Sequence, residues 1–335
     1  MMREVARALV YRAPREVESC PACESRRLFD LDVMVIRRAA DGPQTGFISG
    51  CETCGLVFAN PLPSAADQAA FYGHDGDWQA ERAEDTPDAP PARHGTAWSR
   101  MFEPIRHELS VLAPPPGATV LDFGCGTGKL LDDLKSAGWA TWGIEPATDR
   151  AFDRHGRLDA VPDRPMFDLT VCHHVLEHVT NPLGLLRQFA AASRPGGYLL
   201  VSVPRLDTLP IHRDYHYILN GRAHITAYTW PCMHGLLARA GWEPVAPPPD
   251  RVPKGRGKLT ASRLRVVARR VDRDVALPSS PADAARAAVR GYHAGVDGRS
   301  LFERLRWYRL AARQMEARRR SAISARRAAR RRMVL

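Results

Sequence analysis

The chain has 335 residues and a 44% hydrophobic fraction, an ordinary globular composition with length for about two domains, or one domain with appendages. Its net charge of +11 is concentrated at one end. Nine arginines and one acid between positions 313 and 335 account for +8, leaving +3 for the rest, so the body is near neutral. No apolar run reaches the roughly 18–20 residues that a membrane span needs. Positions 1–15 lack the apolar core of a secretory signal, and the expectation is a cytoplasmic protein.

Four of the seven cysteines stand in two C-x-x-C pairs, Cys20-Pro21-Ala22-Cys23 and Cys51-Glu52-Thr53-Cys54, separated by 27 residues. In a cytosolic chain that pattern favours a metal over disulfides. Each pair brings two thiolates to one ion, and the two pairs complete a tetrahedral shell with no open position, as in structural Zn2+ sites. Two redox dithiols are the alternative, but neither pair opens a thioredoxin-like helix. Residues 47–50 and 56–58 flank the second pair like short strands, with Gly55 supplying a tight turn. A zinc module over 15–75 is predicted, since a segment this short buries little core and a metal compensates. Ser64 is a plausible cap for a helix over 65–72. Residues 76–95 are acidic and Pro-rich and read as a linker or lid.

Strands and helices then alternate. Helical spacing over 98–112 ends at Pro114-Pro115-Pro116-Gly117. A strand over 119–123 leads to a helix over 129–137, stopped by Gly138. Strands follow at 141–145, 157–161 and 167–172. A helix over 182–193 has Asn181 as N-cap and Pro182 at its first position. Pro195-Gly196-Gly197 reads as a turn, 198–203 as a strand and 228–240 as a helix stopped by Gly241. Strands at 242–245 and 264–268 complete the series. This alternation predicts a parallel sheet covered on both faces.

The stretch Val120-Leu121-Asp122-Phe123-Gly124-Cys125-Gly126-Thr127-Gly128-Lys129 joins the first strand of that series to its helix. A Walker loop would need Gly at 123 and Ser or Thr at 130, where Phe123 and Leu130 stand. The dinucleotide fingerprint would need Gly at 129, where Lys129 stands. The remaining pattern, D-x-G-x-G-x-G, resembles the first motif of class I S-adenosylmethionine-dependent methyltransferases. The resemblance extends across 96–270 through Phe167-Asp168, Val175-Leu176-Glu177-His178-Val179, Asn181-Pro182, Arg194-Pro195-Gly196-Gly197, Val203-Pro204 and His224-Ile225. The paired C-x-x-C module is similar to that of sugar C-methyltransferases, although the large carboxy-terminal domain of those enzymes has no counterpart in length here.

The resemblance implies a Rossmann-like α/β fold with a seven-stranded sheet whose last strand is antiparallel, and S-adenosyl-L-methionine as cofactor. On the matching positions, Asp122, Gly124, Cys125, Gly126 and Gly128 would line the methionine end, and Cys172 and His173 the sulfonium side. Glu145 lies 23 residues after Asp122, near the offset of about 20 at which a carboxylate meets a ribose. Asp159 is either a receiver of the adenine amino group or a surface acid.

Methyl transfer needs an aligned nucleophile and, often, a base, for which histidine is suited near neutral pH. His174, Glu177 and His178 are spaced to share one helical face and form either a catalytic cluster, a metal site or a braced loop. Ubiquinone-pathway O-methyltransferases resemble this segment and bind a divalent ion there through two Glu and a His; His174 replaces the first Glu. Tyr215 and His224, after the fifth strand, are further catalytic candidates where a substrate cover is expected. The acceptor is expected to be a small molecule methylated at O or C. The segment 280–335 is expected to be helical and arginine-rich, a solvated tail or a phosphate-binding one. An RNA methyltransferase is therefore the alternative, and a non-catalytic scaffold the third reading.

Overall fold

The computed structural model describes residues 17–38, 42–72, 117–146, 154–209, 218–221, 223–245 and 263–297. The sequence elements predicted over 98–112, the 76–95 linker, Tyr215 and the arginine-rich stretch after 297 lie outside them.

The central sheet has seven strands: β4 (Thr119–Phe123), β5 (Ala140–Ile144), β6 (Gly156–Arg157), β7 (Phe167–His173), β8 (Ser193–Pro204), β10 (Trp242–Pro244) and β11 (Arg263–Arg270). Their order across the sheet is β10-β11-β8-β7-β4-β5-β6. β6, β5, β4, β7 and β8 are parallel neighbours. β11 runs antiparallel between β8 and β10, so the last strand alone is reversed, as expected. β4 and β7 are buried apolar runs, the pattern of strands covered on both faces.

Two sequence expectations change. The strand predicted over 157–161 is only Gly156–Arg157, where Gly156 lies close under Trp142 and a Cβ would meet its ring at 2.4 Å. The turn at Pro195-Gly196-Gly197 falls inside β8, because Ser193 already pairs with Phe167 before an irregularity in register. The helices α2 (Lys129–Ser136), α3 (Pro182–Ala192) and α4 (Trp230–Arg239) stand where the periodicity puts them. Asn181 caps α3 by accepting from Gly184 N at 2.9 Å, and Thr229 caps α4.

The cysteine segment builds a second, antiparallel sheet in the order β1-β2-β3-β9. β1 (Leu28–Arg38), β2 (Gly42–Cys51) and β3 (Val57–Asn60) belong to the segment itself. β9 (Thr226–Ala227) comes from the chain between β8 and α4 and pairs with Val57 and Phe58. The largest core cluster is continuous across this junction: Cys51, Leu56 and Phe58 pack in one cluster with Leu176, Leu186, Tyr228, Met233 and Trp242. Helix α1 (Ala65–Tyr72) follows β3. Helix α5 (Pro281–Asp297) puts Ala285, Ala288 and Val289 against Ile48, Val57 and Leu206, and its Arg286 pairs with Glu52. Among the described residues no helix is long and apolar enough to cross a membrane.

Candidate active site and cysteine cluster

The glycine loop folds through three left-handed residues, Gly124 (φ 78°), Gly126 (φ 57°) and Gly128 (φ 75°), the last serving as N-cap of α2. Gly124 N and Cys125 N donate to Ile144 O at 2.8 and 3.1 Å, which ties the loop to the end of β5. The next residue, Glu145, accepts from Gly126 N through Oε2 at 2.7 Å. The acid at the tip of β5 therefore meets the loop at the tip of β4. Asp122 lies beneath, 4% exposed, and burial together with the Glu145 charge raises its carboxyl to about 7. Cys125 is packed among Leu130, Leu131 and Leu134, its thiol pushed up first by burial.

Other residues expected around the cofactor are spread along the same edge of the sheet. Asp159 is exposed, two residues past β6. Cys172 is fully buried in β7, beside Leu176 in the large core, and burial pushes its thiol well up. His173 ends β7, with burial first and then His174 and Arg263 holding its ring well below the ordinary value.

A tight link joins the glycine loop to the histidines. A Cβ on Gly124 would lie 2.4 Å from Val175 Cγ2, so the loop rests against the residue that opens the 3-10 turn Leu176–His178. His174 stands before that turn in a left-handed conformation (φ 55°) rather than on a shared helical face. Its Nδ1 is nonetheless 3.0 Å from Glu177 Oε1. His178 Nε2 and His224 Nε2 approach the same oxygen at 4.0 and 3.9 Å, and the rings of His178 and His224 are 4.8 Å apart. Glu177 is thus a fully buried carboxylate ringed by three histidines, with no hydrogen-bond partner for Oε2 among the described residues. Burial opposes its ionisation, but the His174 hydrogen bond and the imidazole charges around it hold it at about 2. Burial lowers His178 to about 4, against the pull of Glu177. Near neutral pH the cluster is an anionic Glu177 beside a neutral His178.

Backbone contacts fix this cluster. Leu176 O accepts from Tyr228 OH at 2.9 Å and from Thr226 Oγ1 at 3.2 Å, and Ile225 N donates to Glu177 O at 2.9 Å. Asn220 Oδ1 accepts from Ala223 N and His224 N, which shapes the loop that carries His224. Sequence reasoning missed two contributors from α1: Tyr72 OH is 2.8 Å from His178 Nδ1, and Gln68 Nε2 donates to His178 O at 3.4 Å. Nothing local to 65–72 signals that contact, which spans 106 residues. Glu177, His178 and His224 also offer three donor atoms within 4.8 Å of one another, a set able to hold a divalent cation.

The four cysteines come together as expected. Cys20 Sγ lies 3.6 Å from Cys54 Sγ, Cys23 Sγ lies 3.5 Å from Cys51 Sγ, and all four lie within 4.8 Å of one another. Tetrahedral Zn–S bonds of about 2.3 Å imply sulfur separations of roughly 3.8 Å. The donors therefore fit a closed four-sulfur shell. Hydrogen bonds from Cys20, then Cys23 and Cys54, hold Cys51 far below the usual thiol value, so one thiolate is already favoured.

Residues 97–246 match the family model described as a methyltransferase domain. Over these residues the chain is similar to a methyltransferase domain. The match spans the glycine loop, Glu145 and the histidine cluster. The domain is 31% identical over 120 residues to a ubiquinone biosynthesis O-methyltransferase of Albidiferax ferrireducens, covering 30% of this chain and 48% of that protein. It is 35% identical over 108 residues to the protein of the same description from a Methylobacterium species, covering 27% and 43%. The chain thus spans about half the length of the curated relatives it matches. Among solved structures it resembles a Burkholderia thailandensis 1,6-didemethyltoxoflavin-N1-methyltransferase with bound S-adenosylhomocysteine, at 20% identity and a TM-score of 0.45, covering 65% of this chain and 96% of that one.

Proposed function

We propose that the chain is an S-adenosyl-L-methionine-dependent methyltransferase that methylates O or C of a small molecule, with His178 taking the acceptor's proton. The observation that carries this reading is the contact between Gly124 and Val175, which sets the glycine loop against the His178 turn. The cofactor, when bound, supplies a methyl group activated by a positive sulfur. Amides of the loop at Gly124, Gly126 and Gly128 would take its methionine end, near buried Asp122. Glu145 would exchange its bond to Gly126 N for the ribose hydroxyls, and Asp159 stands free to meet the adenine. His173 would stand on the sulfonium side, while Cys172 supports that wall from the core.

A neutral His178 accepts a proton at Nε2, and the Glu177 carboxylate stabilises the resulting cation. His174 and His224 hold Glu177 in its buried place, and Tyr215 remains a candidate for the acceptor side. The four cysteines would hold a structural Zn2+, and free thiols in that number fit a reducing, cytoplasmic setting. On this reading residues 15–75 are the zinc module and 96–270 the catalytic domain.

The test is transfer of labelled methyl from saturating cofactor across a panel of small hydroxylated and enolisable acceptors. His178→Ala is expected to lose at least about 100-fold in turnover, the scale of general-base catalysis, while keeping its affinity for S-adenosylhomocysteine. Unchanged turnover would remove His178 from the mechanism.

A further inference from the structure

We propose that Tyr72 is a positioning residue for His178: its hydroxyl oxygen and Ala223 O together hold the ring proton on Nδ1, so that Nε2 is the unprotonated nitrogen. The inference rests on the reading of His178 as the base and deepens it.

Among the described residues, Ala223 O stands 2.9 Å and Tyr72 OH 2.8 Å from Nδ1. A backbone carbonyl can only accept, so the contact with Ala223 requires a proton on Nδ1. Across the ring, Glu177 pulls the other way. Its Oε1 lies 4.0 Å from Nε2, so a proton on Nε2 would be drawn toward that carboxylate. That tautomer would consume the lone pair that catalysis needs. A second acceptor on the Nδ1 edge tips the balance back, since the nitrogen that keeps the proton is set by the bonds the ring makes.

Tyr72 can do this because the cysteine module delivers it. β3 pairs with β9 two residues after His224, and Ala59 N donates to Ile225 O at 2.9 Å. Asn60, the last residue of β3, is held by Val17 and Ser49. Four residues on, Ser64 starts α1 with a reciprocal cap: Asp67 N donates to Ser64 Oγ, and Ser64 N to Asp67 Oδ2. Phe71 is buried at 5% exposure and packs edge-on against the Tyr72 ring at 4.8 Å. Gln68 grips the His178 carbonyl on the same helix. One strand of the module therefore anchors both the His224 loop and the helix that reaches His178.

The experiment is ring-nitrogen NMR of the full chain labelled with 15N-histidine, near neutral pH, with His178 assigned from the His178→Gln spectrum. The wild type is expected to show a protonated Nδ1 and a bare Nε2 at His178. In Tyr72→Phe, which keeps the aromatic packing, the two nitrogen shifts should converge as the Nε2–H tautomer gains population. Tyr72→Gln, which restores a carbonyl oxygen, should separate them again. S-adenosylhomocysteine binding shows that each variant is folded. Unmoved shifts in Tyr72→Phe, or a wild type protonated on Nε2, would overturn the proposal. Turnover of His178→Ala is a separate measurement: its failure to fall would end the catalytic reading without touching the tautomer result.

Discussion

Replacing Gly124 with alanine probes the joint between cofactor loop and histidine turn. At φ 78° an L-residue is in the left-handed region, which costs roughly 1–2 kcal/mol. The new Cβ would also meet Val175 Cγ2 at 2.4 Å, so Val175 or the loop must shift. Overpacking of this kind costs about 1–3 kcal/mol, giving ~2–5 kcal/mol in all. Urea unfolding of Gly124→Ala, Val175→Ala and the double variant separates the parts. The backbone share persists in the double variant, and the steric share appears as a coupling of about 1–3 kcal/mol. Calorimetry with S-adenosylhomocysteine should show affinity down at least about tenfold, or ~1.4 kcal/mol, because the shift displaces the loop amides proposed to take the methionine end. Zero coupling together with intact binding would show that the loop does not press on the histidine turn, and the proposed link between cofactor and base would fail.

Asp122 should give the protein a distinctive acid response. Its folded value of about 7 lies above the ordinary 3.8, so between those values the folded state binds more protons than the unfolded chain. Stability should therefore be greatest, in this contribution, below the lower value and decline as pH rises to about 7, by up to ~4 kcal/mol. Denaturation midpoints of Asp122→Asn across that window should lose this slope, and a slope equal to wild type would show that Asp122 does not carry it. Metal analysis of the purified chain should find one zinc per molecule. Cys51→Ser should lose it and unfold at lower urea, whereas full metal content in that variant would place the ion elsewhere.

The central sheet was legible because its buried parallel strands are largely apolar runs bounded by glycine and proline. The tip residues Asp122, Gly124 and Glu145 were legible because a short loop and a short βα offset bring them together locally. The cysteine pairs were legible from spacing alone. The partnership of His224 with Glu177 was not, since 47 positions separate them and β9 is only two residues long. The hairpin of β1 and β2 also escaped notice, because charged Arg37 and Arg38 end a strand whose apolar residues do not alternate strictly. Helix α5 was expected at 281 from its Ser280-Pro281 start, but its alanines gave no hint of a partner. Ala282, Ala285 and Val289 recur every three or four residues, with Ala288 beside them, and only the fold shows that this small-residue face closes on β2.

A segment of this size with two C-x-x-C pairs has too little apolar surface to fold well by itself. Here it adds to its own core from the neighbouring domain. Leu56 and Phe58 on β3 pack with Leu176 and Tyr228, and Cys232 on α4 lies close enough that Cys51 and Cys23 raise its thiol further after burial. The same Tyr228 holds Leu176 O, one residue before Glu177. Arg286 of α5 reaches over the Phe29 ring at 4.0 Å and pairs with Glu52 between the second pair of cysteines. Disturbance at the cysteines therefore has a short, packed route to the histidines: from Cys51 through β3 to β9, and from β9 through Tyr228 to the turn that bears Glu177 and His178. The cysteine segment is built into the wall of the candidate active site, so a metal held by those four sulfurs would brace the histidine turn without entering the reaction.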